Sequence, residues 1–307
     1  IYAEEDKLGL HRFKADEAYR IGKGMGPVAA YLSISEIIRV AKMCGADAIH
    51  PGYGLLSENP DFVDACEEAG IKFIGPKAET MRKLGDKASA RRVAMEAGVP
   101  VVPATDVLPD DMSKVRQMAE EVGYPFMLKA SWGGGGRGMR PIMDASELEE
   151  KVLEGRREAE AAFGNGEGYL ERLVQKARHV EVQILGDSFG EIYHLYERDC
   201  SVQRRNQKVV ERAPAPYLTE EQRLEICSLG RKICAHVGYE CAGTVEFLMD
   251  MDTEEFFFIE VNPRVQVEHT VTEEVTGIDI VRAQIKIAEG KTLARSTGAN
   301  SQADIKL

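Results

Sequence analysis

The stretch Ile259-Glu260-Val261-Asn262-Pro263-Arg264-Val265-Gln266-Val267-Glu268-His269 decides how the rest of the chain is read. Strand side chains alternate with period two, so Ile259 and Val261 are expected on one face and Glu260 and Asn262 on the other. Two oxygen-bearing side chains on one face suit a hard cation such as Mg²⁺. Pro263 stops the ladder. Arg264, Gln266, Glu268 and His269 follow, offering a candidate anion-binding arginine and a candidate base. Just upstream, Gly243 to Met249 reads as a strand carrying Glu246, and Asp250-Met251-Asp252-Thr253 reads as a turn. A hairpin with its tip near Thr253 sets Glu246 opposite Glu260. Facing carboxylates repel unless a cation lies between them, and Asn262 adds a neutral oxygen. The alternative is an exposed face of scattered acids, against which stand the apolar Phe256, Phe257 and Phe258. Oxygen-only ligands fit Mg²⁺ or Mn²⁺ chelated with nucleotide phosphates.

Upstream of this hairpin the pattern stays antiparallel β. His179 to Ile184 alternates strictly, and Gly190 to Arg198 and Gln207 to Glu211 look similar. One helix intervenes behind the box Thr219-x-x-Gln222, running to about Val237, and a last helix covers about Ile278 to Glu289. The run Arg198 to Lys208 is dense in donors. It is either an anion site or a charged, solvated edge that resists aggregation. His179, on the polar face of its strand, is a ligand contact or a satisfied surface histidine. Cys200 needs no chemical role.

A compact α+β module precedes this, over roughly 101–174. Pro125 to Ala130 and Met139 to Met143 read as strands, Ser146-x-x-Glu149 as the cap of a charged helix to about Phe163, and Tyr169 to Val174 as a further strand. Between the first two lies Trp132-Gly133-Gly134-Gly135-Gly136-Arg137-Gly138. Bare glycine amides allow phosphate oxygens to approach closely. A flexible hairpin tip is the other reading, but Lys129, Arg137 and Arg140 put positive charge beside the loop. A mobile loop of this kind also suits a lid. Lys87 is a second candidate phosphate cation or a solvated helix lysine. Glu171 and Arg172, running into Leu173 and Val174, place a carboxylate beside free backbone groups, one way to read an adenine edge.

The first 75 residues alternate helix and strand signals. Ser33-x-x-Glu36 caps a helix stopped by Gly45, Ala46 to His50 is a strand, Asn59-Pro60 caps Asp61 to Ala69, and Ile71 to Ile74 is the next strand. That rhythm implies an open parallel α/β unit. Residues 76–100 read as helical. Gly22-Lys23-Gly24-Met25-Gly26 fails the dinucleotide pattern and reads as a loop. The abrupt ends, at Ile1-Tyr2-Ala3 and Asp304-Ile305-Lys306, suggest a fold cut at both ends.

Composition bounds the partners. The chain has 307 residues, 44% hydrophobic and 29% charged, with net charge −12. An acidic surface argues against nucleic acid and membrane as main partners. Basic residues gathered in a cleft would then serve an anionic ligand. No membrane-length apolar run or signal peptide is visible. The six cysteines lack C-x-x-C or zinc spacing and read as reduced thiols of a cytoplasmic protein.

Three motifs together carry a resemblance: Lys129 to Arg140, Glu197 to Arg205, and Phe258 to His269. With His50-Pro51-Gly52-Tyr53-Gly54 and the spacing between them, they make the chain resemble the biotin carboxylase domain family over its whole length. The resemblance implies an ATP-grasp fold behind an open parallel α/β unit. The expected domains are 1–85 (the incomplete N-terminal subdomain), 86–290 (the ATP-grasp domain with its lid at 101–174) and 291–307 (the start of a C-terminal subdomain). The implied reaction is ATP-dependent carboxylation of biotin by bicarbonate. Lys87, Lys129 and His179 would contact ATP; Gly133, Gly134, Gly135, Gly136, Gly138 and Met139 would close over the phosphates. Glu171, Arg172, Leu173 and Val174 would hold adenine, and Gln203, Asn206 and Leu248 would complete the pocket. Glu246 and Glu260 would bind Mg²⁺ or Mn²⁺ with Asn262 close by. Lys208, Arg264, Gln266 and the Val267 backbone would hold bicarbonate, with Glu268 as base and Arg264 also stabilising biotin as it is deprotonated. Asn206 stands where many members have histidine, and a further family arginine lies beyond this chain.

Within the family, Trp132, Ala161-Ala162-Phe163-Gly164 and His269-Thr270-Val271-Thr272-Glu273 look most like the pyruvate carboxylases. That implies a biotinyl carrier domain and a carboxyltransferase domain as partners, and a homo-oligomer. The alternatives are a biotin carboxylase subunit of an acetyl-CoA or propionyl-CoA carboxylase, and a nucleotide-binding module without catalysis.

Overall fold

Alternation in one strand organises the centre of the molecule. The computed structural model describes residues 1–131, 139–205 and 207–307. In chain order its strands are β1 (Ala48–Ile49), β2 (Lys72–Phe73), β3 (Phe126–Ala130), β4 (Arg140–Ile142), β5 (Gly168–Arg172), β6 (Ala177–Gly186), β7 (Ile192–Arg204), β8 (Gln207–Arg212), β9 (Cys241–Asp250) and β10 (Phe256–Asn262). The last five form an antiparallel sheet in the order β10-β9-β6-β7-β8. Along β6, Val180, Val182 and Ile184 enter a core shared with Val245 and Phe247 of β9 and with Ile226, Ile233 and Cys234 of the helix Glu220–His236. Glu181 and Gln183 alternate onto the opposite face, which carries the polar centre described below. Farther along that strand, Leu185 joins a second core with Val265, Ile280, Ala283 and Ile287. The sheet is thus covered on both sides, and its buried polar residues need partners within the protein.

The expected hairpin is present. Glu260 pairs with Glu246 and Asn262 with Thr244, and an irregularity between Phe258 and Glu260 makes room for a bulge at Ile259. The capping box at Thr219 also forms, with Thr219 and Gln222 bonding reciprocally. The other two do not. Glu36 is drawn away by Arg39, at 3.0 and 3.2 Å. Ser146 bonds Asp144, and the helix begins only at Leu148. The continuous helix expected over 76–100 is two, Ala78–Gly85 and Lys87–Glu96, because Asp86 leaves helical geometry and its carboxylate accepts from the Ser89 amide. The helices Met112–Val122 and His269–Thr276 were not anticipated.

The small module is the antiparallel sheet β4-β3-β5 with its own core around Phe126, Leu128, Ile142, Val152 and Leu170. Near the N-terminus, β1 and β2 pair in parallel, as the β-α-β rhythm requires. Asn59 caps Pro60–Glu68 by accepting from the Phe62 amide at 3.0 Å, and Gly45 ends Ile34–Cys44 in the left-handed conformation. No helix among the described residues is long and apolar enough to cross a membrane.

Candidate active site

The polar face of the sheet is built around two cations, one fully buried and one partly buried. Arg198, on β7, is fully buried. Its Nε donates to Glu181 Oε1 at 2.6 Å, and Nη1 donates to Gln183 Oε1 at 2.8 Å and Thr272 Oγ1 at 2.9 Å. Nη2 donates to Gln266 Oε1 at 3.1 Å. Burial disfavours the charged guanidinium, but Glu181 outweighs that and raises its pKa. Because Arg198 can only donate, it fixes the Gln266 amide with oxygen inward. The Gln266 Nε2 then donates to Glu246 Oε1 at 3.1 Å.

Lys208 is the second cation. Its ammonium contacts Glu181 Oε2, Glu246 Oε1 at 2.8 Å and Glu268 Oε1 at 2.8 Å. Burial would lower the Lys208 pKa, but Glu181 and Glu246 override it and raise it. The effect on the acids is reciprocal. Burial pushes the Glu268 carboxyl up, yet the Lys208 hydrogen bond wins and holds it below the ordinary value. Glu268 is therefore a carboxylate at neutral pH, the state a base requires.

Glu246 and Glu260 face each other yet titrate in opposite directions. Burial raises Glu246, but the His179 contact and the Lys208 ammonium bring it far below the usual carboxylate range. Glu260 is raised, by burial and then by Glu246, with Lys87 at 3.7 Å offsetting only part. Two close carboxylates with one strained toward protonation are the charge pattern that a divalent cation relieves. Oxygen donors of this kind suit a hard divalent cation. Asn262, the third expected ligand, has its oxygen turned away from the acids in this structure. Its Oδ1 accepts from Arg264 Nη2 at 3.1 Å, and its Nδ2 donates to Glu246 Oε1 at 2.9 Å. Since Arg264 requires an oxygen, the amide presents nitrogen, not oxygen, toward the acids.

His179 sits at the rim of this cluster. Gln203 Nε2 donates to the Cys200 carbonyl at 2.9 Å, which fixes that amide, and lies 3.0 Å from His179 Nδ1. The neutral ring then carries its proton on Nε2, 2.9 Å from Glu246 Oε2. That approach is close but off the direction of a good hydrogen bond, so we regard it as an electrostatic contact.

A narrow cavity of about 40 Å³ lies between the hairpin and the small module, lined in part by Lys87, Lys129, Glu171, Leu248, Phe258 and Tyr169. Four of the residues expected around a nucleotide thus converge. Lys129 is ion-paired with Glu171 rather than free. The free strand-end amides expected near Leu173 are also engaged: Arg172 N donates to the Pro103 carbonyl and Leu173 N to that of Pro125, both at 2.8 Å. The Arg172 guanidinium lies over the Phe257 ring at 5.3 Å. Val267 is exposed, as is Met139. Gly133, Gly134, Gly135, Gly136, Gly138 and Asn206 lie outside the described residues.

Sequence reading missed the pairing of Arg198 with Glu181, having placed Arg198 in a solvated or anion-binding cluster. The signal was present in Glu181 and Gln183, which interrupt an otherwise apolar strand that two cores bury. It also missed Glu58, whose Oε1 lies 2.9 Å from Arg264 Nε. Nothing local in Leu55-Leu56-Ser57-Glu58 distinguishes that glutamate.

Comparison with known proteins gives the family. Residues 86–296 match the family "Carbamoyl-phosphate synthase L chain, ATP binding domain", and residues 1–81 match "Biotin carboxylase, N-terminal domain". The chain is 55% identical to mitochondrial pyruvate carboxylase of Homo sapiens over 293 residues, which is 95% of this chain and 25% of that protein. It spans about a quarter of the length of the curated relatives it matches. Among solved structures, Campylobacter jejuni biotin carboxylase in complex with β,γ-ATP superposes with a TM-score of 0.90 at 45% identity, covering 100% of this chain and 67% of that one. A Rhizobium etli pyruvate carboxylase with acetyl coenzyme-A gives 0.90 at 63% identity, covering 100% and 28%. The chain belongs to the biotin carboxylase family and has its ATP-grasp fold.

Proposed function

We propose that the chain carries out the ATP-dependent carboxylation of biotin by bicarbonate through carboxyphosphate. We read it as the first half-reaction of a pyruvate carboxylase that converts pyruvate to oxaloacetate. The observation that carries the half-reaction is the Glu268–Lys208–Glu246 cluster. It sets an ionised base beside a carboxylate pair suited to a divalent cation, on one face of one sheet. The choice of pyruvate rests on the 55% identity to pyruvate carboxylases.

In this reading Glu268 takes the proton of bicarbonate, and an oxygen of the resulting dianion attacks the γ-phosphorus of ATP. The bond to the bridging oxygen breaks and ADP leaves. Lys208 keeps Glu268 ionised between turnovers and lies ready to balance the anion's charge. Arg264 and Gln266 orient the anion, Gln266 through the amide orientation that Arg198 sets. Lys87, Lys129 and His179 hold the nucleotide, whose arrival displaces the Lys129–Glu171 pair so that Glu171 can meet adenine. Glu246 and Glu260 hold Mg²⁺ or Mn²⁺, which neutralises phosphate charge when bound. Residues 1–85 form the N-terminal subdomain, 86–290 the ATP-grasp domain with its lid at 101–174, and 291–307 lead into a C-terminal subdomain. The glycine segment 133–138 closes over the phosphates. A biotinyl carrier domain, a carboxyltransferase domain and further copies of the chain are the partners, in the cytoplasm.

Glu268→Gln in the full-length protein tests the central step. Bicarbonate-dependent ATP cleavage is expected to fall about 10²–10⁴-fold, the usual contribution of a general base, while ATP binding is retained. Unchanged turnover would remove Glu268 as the base.

A further inference from the structure

A short element of the N-terminal unit reaches the candidate site. His50 anchors its loop: Nδ1 accepts from the Gly52 amide at 3.0 Å, and Nε2 lies 3.1 Å from Gln284 Oε1 on the helix Ile280–Ala288. The chain then passes Leu55, held at a φ of 52°, where a non-glycine residue is strained. It turns through the 3₁₀ helix Leu55–Glu58. Tyr53 and Leu55 point to solvent, whereas Leu56 and Ser57 are buried. This turn delivers Glu58 Oε1 to within 2.9 Å of Arg264 Nε.

Arg264 is held from three directions. Glu58 faces Nε as an ion-pair contact, while Nη2 donates to Asn262 Oδ1 at 3.1 Å and Nη1 to the Val265 carbonyl at 3.3 Å. A guanidinium has more N–H groups than these contacts use, and one remains on each terminal nitrogen. Such a pair forms the planar fork that matches two oxygens of a carboxylate-like anion. The remaining question is what keeps the fork from rotating. Asn262 and Val265 lie on the same short stretch as Arg264 and move with it, whereas Glu58 belongs to another unit. As a stability element the pair counts for little, because partly exposed ion pairs contribute little to folding.

We propose that Glu58 is a positioning residue for Arg264. Its carboxylate fixes the Nε edge of the guanidinium, so that the two remaining terminal N–H groups meet a bicarbonate-class oxyanion in one orientation. This inference rests on the biotin carboxylase reading above. It makes the N-terminal unit a working part of the site.

The test is bicarbonate-dependent ATP cleavage by the full-length protein, comparing wild type with Glu58→Ala, Glu58→Asp and Arg264→Ala. Glu58→Ala is expected to raise KM for bicarbonate about tenfold, the scale of one charge-assisted contact. KM for ATP should stay within about twofold and Tm should be unchanged. Glu58→Asp, which keeps the charge, should restore most of the loss. Should Glu58→Ala behave as wild type while Arg264→Ala is impaired, the positioning role is overturned and the reaction stands. A Glu58→Ala variant that loses ATP affinity and Tm together with bicarbonate affinity also overturns it, because the residue would then be structural. Wild-type protein without bicarbonate-dependent cleavage would sink the functional reading and this inference with it.

Discussion

Single residues in this molecule show how burial and partners compete to set charge. Glu246 and Glu260 are paired across one hairpin, yet only Glu246 is in direct contact with the Lys208 ammonium and His179, so one carboxyl is depressed and its partner raised. His194 is the case where burial wins outright. It lies buried on β7 with its ring edge-on to Tyr196, and desolvation, with help from Arg231, takes its pKa from 6.5 down to about 4. The native state therefore refuses a proton that the unfolded chain accepts between those values. Stability should be unaffected above pH 6.5 and should fall as pH drops toward 4. The loss should reach about 3 kcal/mol when complete. Carboxylates titrate in the same window, so the measurement is the difference between wild type and His194→Gln in urea melts at several pH values. The two curves should converge as pH falls, the variant being insensitive to this term. Parallel curves from pH 7 to pH 4 would show that His194 already titrates normally.

Between elements, Arg198 adds a side-chain link to the backbone ladders. It joins β6, β7 and β9 through Glu181, Gln183 and Thr244, and reaches the helix His269–Thr276 through Thr272. Removing one partner of a buried ion pair leaves the other charge uncompensated, at a cost of about 3–5 kcal/mol, whereas replacing both by apolar groups is often near neutral. Glu181 keeps its contact with Lys208, so Arg198→Met should lower the free energy of unfolding by at most about 3–5 kcal/mol. Arg198→Met combined with Glu181→Leu should recover much of it, read from denaturant midpoints at a constant slope. A double variant no more stable than the single one would place the loss elsewhere, for example in the orphaned Gln183 and Gln266 amides. The elements themselves were largely legible in the sequence. Period-two alternation located β6, β9 and β10, and the pairing of Glu246 with Glu260 followed from one turn. The capping boxes were less reliable, because a box needs an oxygen left over at its fourth position: Gln222 gives its amide nitrogen to Glu254 and keeps Oε1 for Thr219, but both Glu36 oxygens are taken by Arg39 three residues on. Helix breaks such as Asp86 depend on one carboxylate choosing an amide, which periodicity does not register.

At the scale of the molecule, what the sequence made legible is what lies close along the chain. Glu260, Asn262, Arg264, Gln266 and Glu268 fall on one run, so their convergence could be anticipated. Glu58 and Arg264 are brought together only by docking of the N-terminal unit, and no local pattern encodes that contact. The same docking supplies a test that does not involve turnover. Gln284 is buried, with Oε1 facing His50 Nε2 and Nε2 directed at Cys241 Sγ at 3.5 Å. Since His50 Nδ1 accepts from Gly52, its proton sits on Nε2 and is given to Gln284. Gln284→Leu keeps the volume but leaves that N–H unpartnered, a loss of about 1–3 kcal/mol. The opening should stay local, because the core around Leu56 and Phe62 contains no residue of β6 or β9 and meets the sheet core through the helix Ala78–Gly85. Amide exchange is therefore expected to accelerate about tenfold or more over residues 50–59, while β6 and β9 keep their protection. If exchange rises uniformly across the chain, the two units unfold as one and Gln284 supports the whole fold. If residues 50–59 are unchanged, the loop that carries Glu58 is held by its own packing around Leu56, and the His50–Gln284 contact does not place it.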